Sequence, residues 1–255
     1  MTFSELSLGP LLAEGKTKVI YAHPEKDDVV YMVHKDGLSA GDGARRSTLP
    51  GKSKLACETT SNVFFLLEQS GIATHYVGMV GDSANIVTRC TMIPLEVVMR
   101  RIATGSFIRR NPEIAEGTRF EPTMVEFFFK DDALHDPLIS EQEIVEKELA
   151  SAIEVAAMRE TGQRVFEAIE AAWAEQDVTL VDCKIEFGRT ADGRLLVADV
   201  IDNDSWRIWP GGDKDRMLDK QVYRNMPEVT DERLRDLFEK YATVAEMTRR
   251  FVQEE

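Results

Sequence analysis

Three charged side chains alternate with apolar ones along residues 179–188, TLVDCKIEFG. In an extended strand, Asp182, Lys184 and Glu186 share one face, while the apolar side chains share the other. A solvent-facing strand would also carry its charges on one face, and these residues alone favour that simpler interpretation. A lysine with carboxylates beside it can also serve a divalent cation and a polyphosphate, because hard cations take oxygen ligands.

The next segment weakens the surface-strand interpretation. After the turn TADG, the sequence RLLVADVIDNDSWRIWP begins as a strongly apolar run and ends in charged residues interleaved with two tryptophans. Those charged residues are Asp199, Asp202, Asp204 and Arg207. Carboxylates that gather at strand ends beside a lysine are what a divalent cation and a polyphosphate require.

Two glycine-containing segments near the N-terminus have features of anion sites. In EGKTKVIY, Gly15 interrupts a predicted strand, and Lys16 and Lys18 stand two residues apart, so their side chains are expected to share a face. In SAGDGAR, Gly41 and Asp42 belong to a small-residue loop of the kind that presents backbone amides to an anion or an amino acid. The segment EGKTKVIY is neither a Walker motif nor GxGxxG. An ordinary exposed strand and a tight turn are the simpler alternatives.

Two further segments concentrate charge. The sequence RRIATGSFIRR, residues 100–110, holds four arginines in a chain whose formal net charge is −14. Such a group can focus a small anionic ligand, and a solvated helix or loop edge explains it equally well. The sequence KDDALHDP, residues 130–137, gathers a lysine, a histidine and three aspartates. A polar loop is the alternative there.

The composition indicates one large domain or two closely packed lobes, because 255 residues with 43% hydrophobic and 30% charged side chains can bury a proper core. No targeting signal or membrane-spanning segment is apparent, so a cytoplasmic protein is expected. The negative net charge disfavours general nucleic-acid binding, which needs clustered positive charge. Cys57, Cys90 and Cys183 form no CxxC pair and are odd in number, which predicts reduced, partly buried thiols rather than disulfides or a zinc site.

The order of predicted elements is strands, helix, strands, helices, hairpin and helix, which favours an α+β fold over a regularly alternating parallel α/β fold. A β-hairpin is predicted around the turn PEKDD near the N-terminus. A core helix follows over residues 51–70, with Gly71 as its stop. No low-complexity linker divides the chain, and a boundary between two sections is placed near residue 82.

The second half is predicted to be richer in helix. Ser140 and Glu143 form a capping-box pattern before a long helical region, in which Gly162 weakens the case for one unbroken helix. Thr230 is the expected cap of an amphipathic C-terminal helix whose apolar stripe extends to Phe251.

Seven blocks of the sequence occur in the order found in SAICAR synthetases, and the resemblance runs from Leu11 to the final helix. The blocks are EGKTKVIY, SAGDGAR, RRIATGSFIRRNP, FFFKDDALHDP, VDCKIEFG, ADVIDNDSWRIWP and DKQVYR. The sequences of these blocks are most similar to the synthetase part of the bifunctional animal enzyme. Any carboxylase is expected to be another polypeptide. The block ADVIDNDSWR has bulkier residues before its arginine than the glycine-containing version in some bacterial relatives, so a different local loop shape is expected.

This resemblance implies a fold, a reaction and its reactants. The implied fold is a SAICAR synthase-like two-lobed α+β fold, with a small antiparallel β lobe over residues 1–82, a larger α+β lobe over residues 83–255, and the ATP cleft between them. The implied reaction joins L-aspartate to the carboxylate of carboxyaminoimidazole ribonucleotide (CAIR), with ATP and Mg²⁺, in de novo purine synthesis. An acyl phosphate would make the carboxylate reactive, so no covalent enzyme intermediate is required. A homo-oligomer is expected from the family.

The resemblance also implies roles for individual residues, residue by residue along the matching blocks. ATP would contact Gly15, Lys16, Lys18 and Lys184, and Mg²⁺ would contact Glu186 and Asp199. The ribonucleotide would contact Arg100, Ser106, Lys130, Asp136, Asp182 and Arg207, and aspartate would lie near Ser39, Gly41 and Asp42. Lys184, Asp182 and Arg207 would be the catalytic residues.

Two alternatives stay open from the sequence. A small-molecule kinase would share Lys16, Lys184, Glu186 and Asp199 but would not depend on aspartate. A non-catalytic nucleotide-binding protein of the same fold would bind ATP without turnover. The presence of the metal, phosphate and substrate positions together speaks against the second alternative.

Overall fold

Thirteen strands and six α-helices make up the described residues, 6–40 and 44–252, of a computed structural model. The strands are β1 (Leu11–Glu14), β2 (Lys18–Ala22), β3 (Val29–His34), β4 (Gly37–Ala40), β5 (Arg45–Thr48), β6 (Tyr76–Val80), β7 (Ala84–Thr88), β8 (Thr91–Ile102), β9 (Arg119–Phe129), β10 (Leu138–Ile139), β11 (Val178–Arg189), β12 (Leu195–Ala198) and β13 (Trp206–Pro210). The helices are α1 (Lys52–Gln69), α2 (Ser106–Arg110), α3 (Glu141–Glu146), α4 (Ala152–Ala174), α5 (Gln221–Asn225) and α6 (Asp231–Thr248).

Five strands from the first part of the chain form an antiparallel sheet in the order β1-β2-β3-β7-β6. The predicted N-terminal hairpin is confirmed, since β2 pairs with β3 from Lys18 opposite His34 to Ala22 opposite Val30. The sequence patterns did not reveal β7, because its segment ANIVT is short and places Asn85 at a fully buried position. A separate two-stranded sheet, β4-β5, follows β3 in the chain.

The second sheet has six strands, and β11 lies near its centre. The order is β10-β9-β8-β11-β12, with β13 also paired to β11. Both β8 and β11 are twelve residues long. The apolar face of β11 faces the core, where Cys183 and Ile185 are fully buried. Its charged face must therefore point to the other side of the sheet.

Helix α4 covers the apolar side of this sheet. It runs unbroken through Gly162, where a Cβ atom would lie 3.0 Å from the Met99 sulfur of β8. Glycine therefore allows the helix to approach the sheet closely at this point, and Gly162 does not interrupt the helix. The break lies earlier in the chain, because Ser140 and Ser151 each form a complete capping box and begin separate helices, α3 and α4.

The C-terminal helix α6 packs against α1 and helps to hold β4 and β5. Thr230 caps α6 as predicted by accepting a hydrogen bond from Arg233 N, whereas Phe251 lies beyond the helix in a short 3-10 turn. A second core joins the small sheet to the C-terminal helices and contains Leu38, Leu49, Tyr223, Met226, Leu237 and Tyr241. Arg45 adds hydrogen bonds to the carbonyl oxygens of Tyr223 (3.1 Å) and Met226 (2.7 Å).

The architecture is α+β, with a small antiparallel lobe and a larger lobe that carries most of the helices. The boundary expected near residue 82 falls within the β6–β7 hairpin, and both strands of that hairpin belong to the five-stranded sheet. The chain changes sheet between Thr88 and Thr91 instead. Cys57 and Cys183 are buried, Cys90 is half-buried, and all three are free thiols, as predicted. Over the described part of the chain, no helix is long and apolar enough to cross a membrane.

Candidate functional site

A cleft of about 1680 Å³ opens between the two large sheets and is also lined by residues of β4, β5 and α5. It contains every predicted site residue that the structure describes: Gly15, Lys16, Lys18, Ser39, Arg100, Ser106, Lys130, Asp136, Asp182, Lys184, Glu186, Asp199 and Arg207. Gly41 and Asp42 lie outside the described residues. The cleft therefore brings together residues that are up to 192 positions apart between Gly15 and Arg207.

The cleft is electropositive although the protein is strongly acidic. Its described lining has twelve lysines and arginines and seven aspartates and glutamates. The cations are Lys16, Lys18, Lys35, Arg46, Arg100, Arg109, Arg110, Lys130, Lys184, Arg207, Lys220 and Arg224, and the acids are Glu14, Glu96, Asp136, Asp182, Glu186, Asp199 and Asp204. A positive cavity in a chain of net charge −14 concentrates polyanionic ligands there.

The charged face of β11 forms the floor of the cleft. Asp182 and Glu186 are only 5% and 2% exposed, so this face is not a solvated surface ladder. Lys184 donates to Glu186 Oε1 (2.8 Å) and to Glu96 Oε1 of β8 (3.1 Å). Lys130 donates to the other Glu186 oxygen at 2.6 Å. Burial alone lowers the pKa of Lys184, but the neighbouring carboxylates raise it well above its usual value, so this lysine stays charged.

Lys18 and Asp199 face each other across the cleft from the two sheets and form an ion pair. Burial raises the pKa of Asp199, but the positive charges of Lys18 and Lys184 outweigh it and hold that pKa below the usual range. The prediction that Lys16 and Lys18 share a strand face is wrong, because Gly15 and Lys16 lie in the turn between β1 and β2. Both lysines nevertheless line the cleft.

The carboxylates of this region suit a hard cation. Within residues 6–40 and 44–252, no group of three or more His, Cys, Asp or Glu side chains is arranged as a metal cage. Mg²⁺ commonly takes only one or two protein carboxylates and completes its shell with water and substrate phosphates. Glu186 and Asp199 supply such oxygens, and each already contacts a lysine. The donor set therefore fits an ion that binds together with a phosphate ligand.

Arginines dominate the opposite end of the cleft. Asp182 accepts hydrogen bonds from Arg100 Nη1 (2.7 Å) and Arg207 Nε (3.1 Å), and its Oδ2 also lies 2.9 Å from Arg207 Nη2. Arg100 also donates to Glu126 Oε2 at 2.5 Å. Gly105 lies directly against the Arg207 guanidinium with φ +61°, so a side chain there would be strained and would collide with that group. These contacts fix two guanidinium groups beside Ser106 at the cleft wall.

Asp136 and Ser39 also line the cleft. Asp136 has φ +46° and accepts a hydrogen bond from Asp131 N (2.9 Å), so the loop after β9 holds its carboxylate in a fixed turn. Ser39 lies on β4 opposite Arg46 of β5, and Arg46 also lines the cleft. The small sheet therefore offers a hydroxyl and a guanidinium to the same space.

Several charged residues of the site had no assigned role in the sequence analysis. Asp204 contacts Lys220 (3.0 Å), the buried Lys52 (3.5 Å) and the Tyr241 hydroxyl (3.2 Å). Burial raises the pKa of Asp204, but the two lysines lower it below the usual range. The blocks IDNDSWR and DKQVYR contain Asp204 and Lys220, and that was the available signal. Lys52 gave none, because a lone lysine at the start of a helix is typical of a solvated position.

Sequence comparisons point to one family over most of the chain. The SAICAR synthetase family profile matches residues 11–240. A phosphoribosylaminoimidazole-succinocarboxamide synthase from Roseiflexus sp. (strain RS-1) is 61% identical over 249 residues, which cover 98% of this chain and 100% of that protein. A probable multifunctional protein ADE2 from Caenorhabditis elegans is 45% identical over 94% of this chain and 58% of its own length. The predicted likeness to an animal multifunctional enzyme is confirmed, although the Roseiflexus synthase is more similar to this chain.

Two solved structures share the fold. The phosphoribosylaminoimidazole-succinocarboxamide synthase of Ehrlichia chaffeensis superposes with a TM-score of 0.85 at 29% identity, covering 94% of this chain and 98% of that chain. A type-2 SAICAR synthetase in complex with ADP gives a TM-score of 0.81 at 33% identity, covering 92% of this chain and 98% of that chain. The two-lobed α+β architecture predicted from the sequence is confirmed by these likenesses.

Proposed function

We propose, because this chain belongs to the SAICAR synthetase family, that its cleft uses ATP to join L-aspartate to the carboxylate of CAIR. With 61% identity to a synthase over nearly the whole of both chains, it is an ATP-dependent carbon–nitrogen ligase of purine biosynthesis. The ADP complex of a relative at 33% identity supports use of an adenine nucleotide. The proposal adds the substrates, the magnesium ion and the residue roles.

One observation carries the proposal: the charged face of β11 links the lysine end of the cleft to the arginine end. Asp182 contacts the arginines, Glu186 contacts the lysines, and Lys184 lies between them. Four residues of extended chain span about 13 Å, so a phosphate donor at one end and a carboxylate acceptor at the other can meet above Lys184. Such positioning is the main requirement of phosphoryl transfer.

The reaction divides into two balanced steps. A carboxylate oxygen of CAIR attacks the γ-phosphorus of ATP, the bond from that phosphorus to the bridging oxygen breaks, and ADP leaves with the electron pair. The neutral amine of aspartate then attacks the acyl carbon, the carbon–oxygen bond to phosphate breaks, and the nitrogen loses a proton to water. The products are SAICAR, ADP and phosphate. Lys184, which stays charged, stabilises negative charge on the transferred group and on the departing phosphate.

Gly15, Lys16 and Lys18 are placed at the triphosphate in this proposal. Glu186 and Asp199 would hold Mg²⁺, which supplies charge neutralisation along the phosphates when bound. When the lysines move to phosphate oxygens, these carboxylates are released from their ion pairs. The ion pairs therefore keep the site electrically balanced in the absence of substrate.

The arginine end is proposed for the ribonucleotide. Arg100, Arg207 and Ser106 offer charged and hydroxyl donors to its phosphate, because guanidinium groups match phosphate oxygens in geometry. Asp182, Asp136 and Lys130 would contact its polar groups. Ser39, Gly41 and Asp42 are proposed for L-aspartate, and Ser39 lines the cleft opposite Arg46.

The lobes, assembly and location follow as further proposals. We divide the molecule between β7 and β8, where the chain changes sheet, rather than at residue 82. We propose a homo-oligomer, supported by Val77 and Met79, which are exposed on the edge strand β6. Sedimentation velocity tests the assembly, since a single monomeric species would contradict it.

We propose a cytoplasmic location, supported by three free thiols.

The deciding experiment incubates the protein with ATP, MgCl₂, CAIR and L-aspartate, omits each in turn, and identifies products by mass. Turnover that needs all four and yields the mass of SAICAR is expected. A stable phosphorylated compound formed equally without aspartate would favour a kinase. ADP binding without any turnover would favour a non-catalytic role.

A further inference from the structure

The segment after α1 ties the two large sheets together through backbone hydrogen bonds. Val197 N of β12 donates to Ala73 O (3.2 Å), and His75 N donates to Val197 O (2.9 Å). Thr88 N, at the end of β7, donates to His75 O (2.6 Å). The backbone of His75 is therefore bonded to both lobes at once.

The side chain of His75 reaches the backbone of Asp199. Its Nε2 lies 3.0 Å from Asp199 O, and a carbonyl oxygen can only accept, so Nε2 carries the hydrogen. The ring is 4% exposed and lies edge-on to Phe64, with centroids 5.2 Å apart. Solvent cannot replace this donor, because the packing around it leaves little access to water.

Asp199 needs such support because its backbone is unusual. Its φ is +67°, in the left-handed region that side-chain-bearing residues rarely adopt. In this conformation the carbonyl is directed to His75 while the carboxylate contacts Lys18 of the other lobe. A relaxed backbone at this position would redirect both groups.

We propose that His75 is a positioning residue for the nucleotide site: its Nε2–H holds Asp199 in the left-handed conformation that directs the carboxylate into the cleft. Because the same residue bonds both sheets, the position of Asp199 is fixed relative to both lobes. The inference rests on the proposed function only in assigning the Asp199 carboxylate to a magnesium–nucleotide ligand.

Two substitutions separate the hydrogen bond from the volume of the ring. His75→Gln keeps an N–H donor at nearly the same reach, whereas His75→Leu fills the space without a donor. Isothermal titration with ADP, with and without MgCl₂, measures how much magnesium strengthens ADP binding. We expect the factor by which magnesium strengthens ADP binding to be about 10 times smaller in His75→Leu. Loss of a supporting hydrogen bond at a metal site typically has an effect of this size. His75→Gln should stay within about 2-fold of the unaltered protein.

A stability control excludes a general loss of structure. Ile169→Ala truncates a fully buried residue of α4 that does not line the cleft and should lower the melting temperature. It should leave the magnesium enhancement unchanged. If Ile169→Ala and His75→Gln lost the enhancement as His75→Leu does, His75 would be a structural residue only, and the proposal would be overturned.

Crystal structures of the two histidine variants keep the test decisive even if magnesium had no effect on ADP binding. Asp199 should keep a positive φ in His75→Gln and leave that region in His75→Leu. A positive φ in both variants would overturn the proposal. Absence of turnover by the unaltered protein would instead contradict the proposed function and leave these two readouts intact.

Discussion

The carboxylates of Asp182, Glu186 and Asp199 on the cleft wall are each held by cations from other elements or from the same strand. Asp182 is held by Arg100 and Arg207, and Asp199 is held by Lys18. A substrate phosphate that binds these cations competes with the carboxylates instead of meeting an unpaired charge. The ion pairs explain how a cleft with so many ionised groups can persist in a folded protein without its ligands.

Asp199→Asn should reduce turnover far more than folding. Asparagine adopts the left-handed region more readily than most residues, so the backbone at φ +67° is retained while the negative charge is lost. We expect kcat to fall on the order of 100-fold and to require more magnesium. The measurement is steady-state turnover against MgCl₂ concentration, beside a thermal melt. Asp192→Asn, on the exposed β11–β12 turn, is the matched control, and equal losses in both variants would contradict the assignment.

Arg207→Ala should weaken the use of the ribonucleotide. The substitution removes charge-assisted contacts at the arginine end, so KM for CAIR should rise at least about 10-fold while KM for ATP stays within about 2-fold. Arg194→Ala removes an exposed arginine outside the cleft and should change neither constant. A change confined to KM for ATP would move Arg207 to the nucleotide site.

Site residues could be predicted where the sequence pattern that reveals them lies among neighbouring residues, and were missed where it depends on residues distant in the chain. The alternation in VDCKIEFG revealed the charged face of β11, because strand periodicity is encoded in neighbouring residues. Glu96 and Lys52 were missed, since a buried charge is recognisable only with its partners, and Lys184 and Asp204 lie far away in the chain. The family blocks named the candidate site residues, and those that the structure describes all line one cleft.

Helix boundaries decide how the elements support the cleft. The two capping boxes at Ser140 and Ser151 separate α3 from α4, and only α4 packs along β11. The first box was visible in the sequence, but the second was not singled out, so one long helix was expected. Gly162 gave a misleading signal, because glycine at this position allows α4 to approach Met99 closely and does not break the helix.

The start of α4 should make stability depend on pH. The hydrogen bond from Arg189, against the opposing effect of burial and with help from Ser151, lowers the pKa of Glu154 from 4.5 to about 2. A depressed pKa gives stability that is fully present above about pH 4.5 and is lost as the pH falls toward 2. Glu154→Gln should therefore lower the free energy of unfolding by about 1 kcal/mol at pH 7, after allowance for solvent screening.

Urea unfolding of both proteins at several pH values checks this expectation. The difference between them should shrink steadily between pH 4.5 and pH 2, where the carboxylate becomes protonated in the folded protein as well. Glu160→Gln, an exposed substitution on the same helix, is the matched control. A difference that stayed constant across this range would show that the effect of Glu154 is not electrostatic.

Ligand binding should stabilise the whole molecule because the cleft is lined by both sheets. ADP with MgCl₂ at about 100 times its dissociation constant should add about 2.7 kcal/mol to the free energy of unfolding and raise the melting temperature. Adenosine lacks phosphates for the lysines and should produce little shift at the same concentration. Differential scanning calorimetry measures both, and an equal shift with adenosine would contradict a phosphate-directed site.

The central position of β11 has a consequence for how the protein is made. Its partner β8 lies far earlier in the chain, with Arg100 and Asp182 separated by 82 positions. At roughly 5–20 residues per second, a ribosome needs about 4–16 s to synthesise that interval. During that time β8 has β9 on one side and an open edge on the other. The nascent chain therefore passes through a stage in which the edge of β8 that will pair with β11 is still open, and shielding of that edge would govern the yield of folded protein.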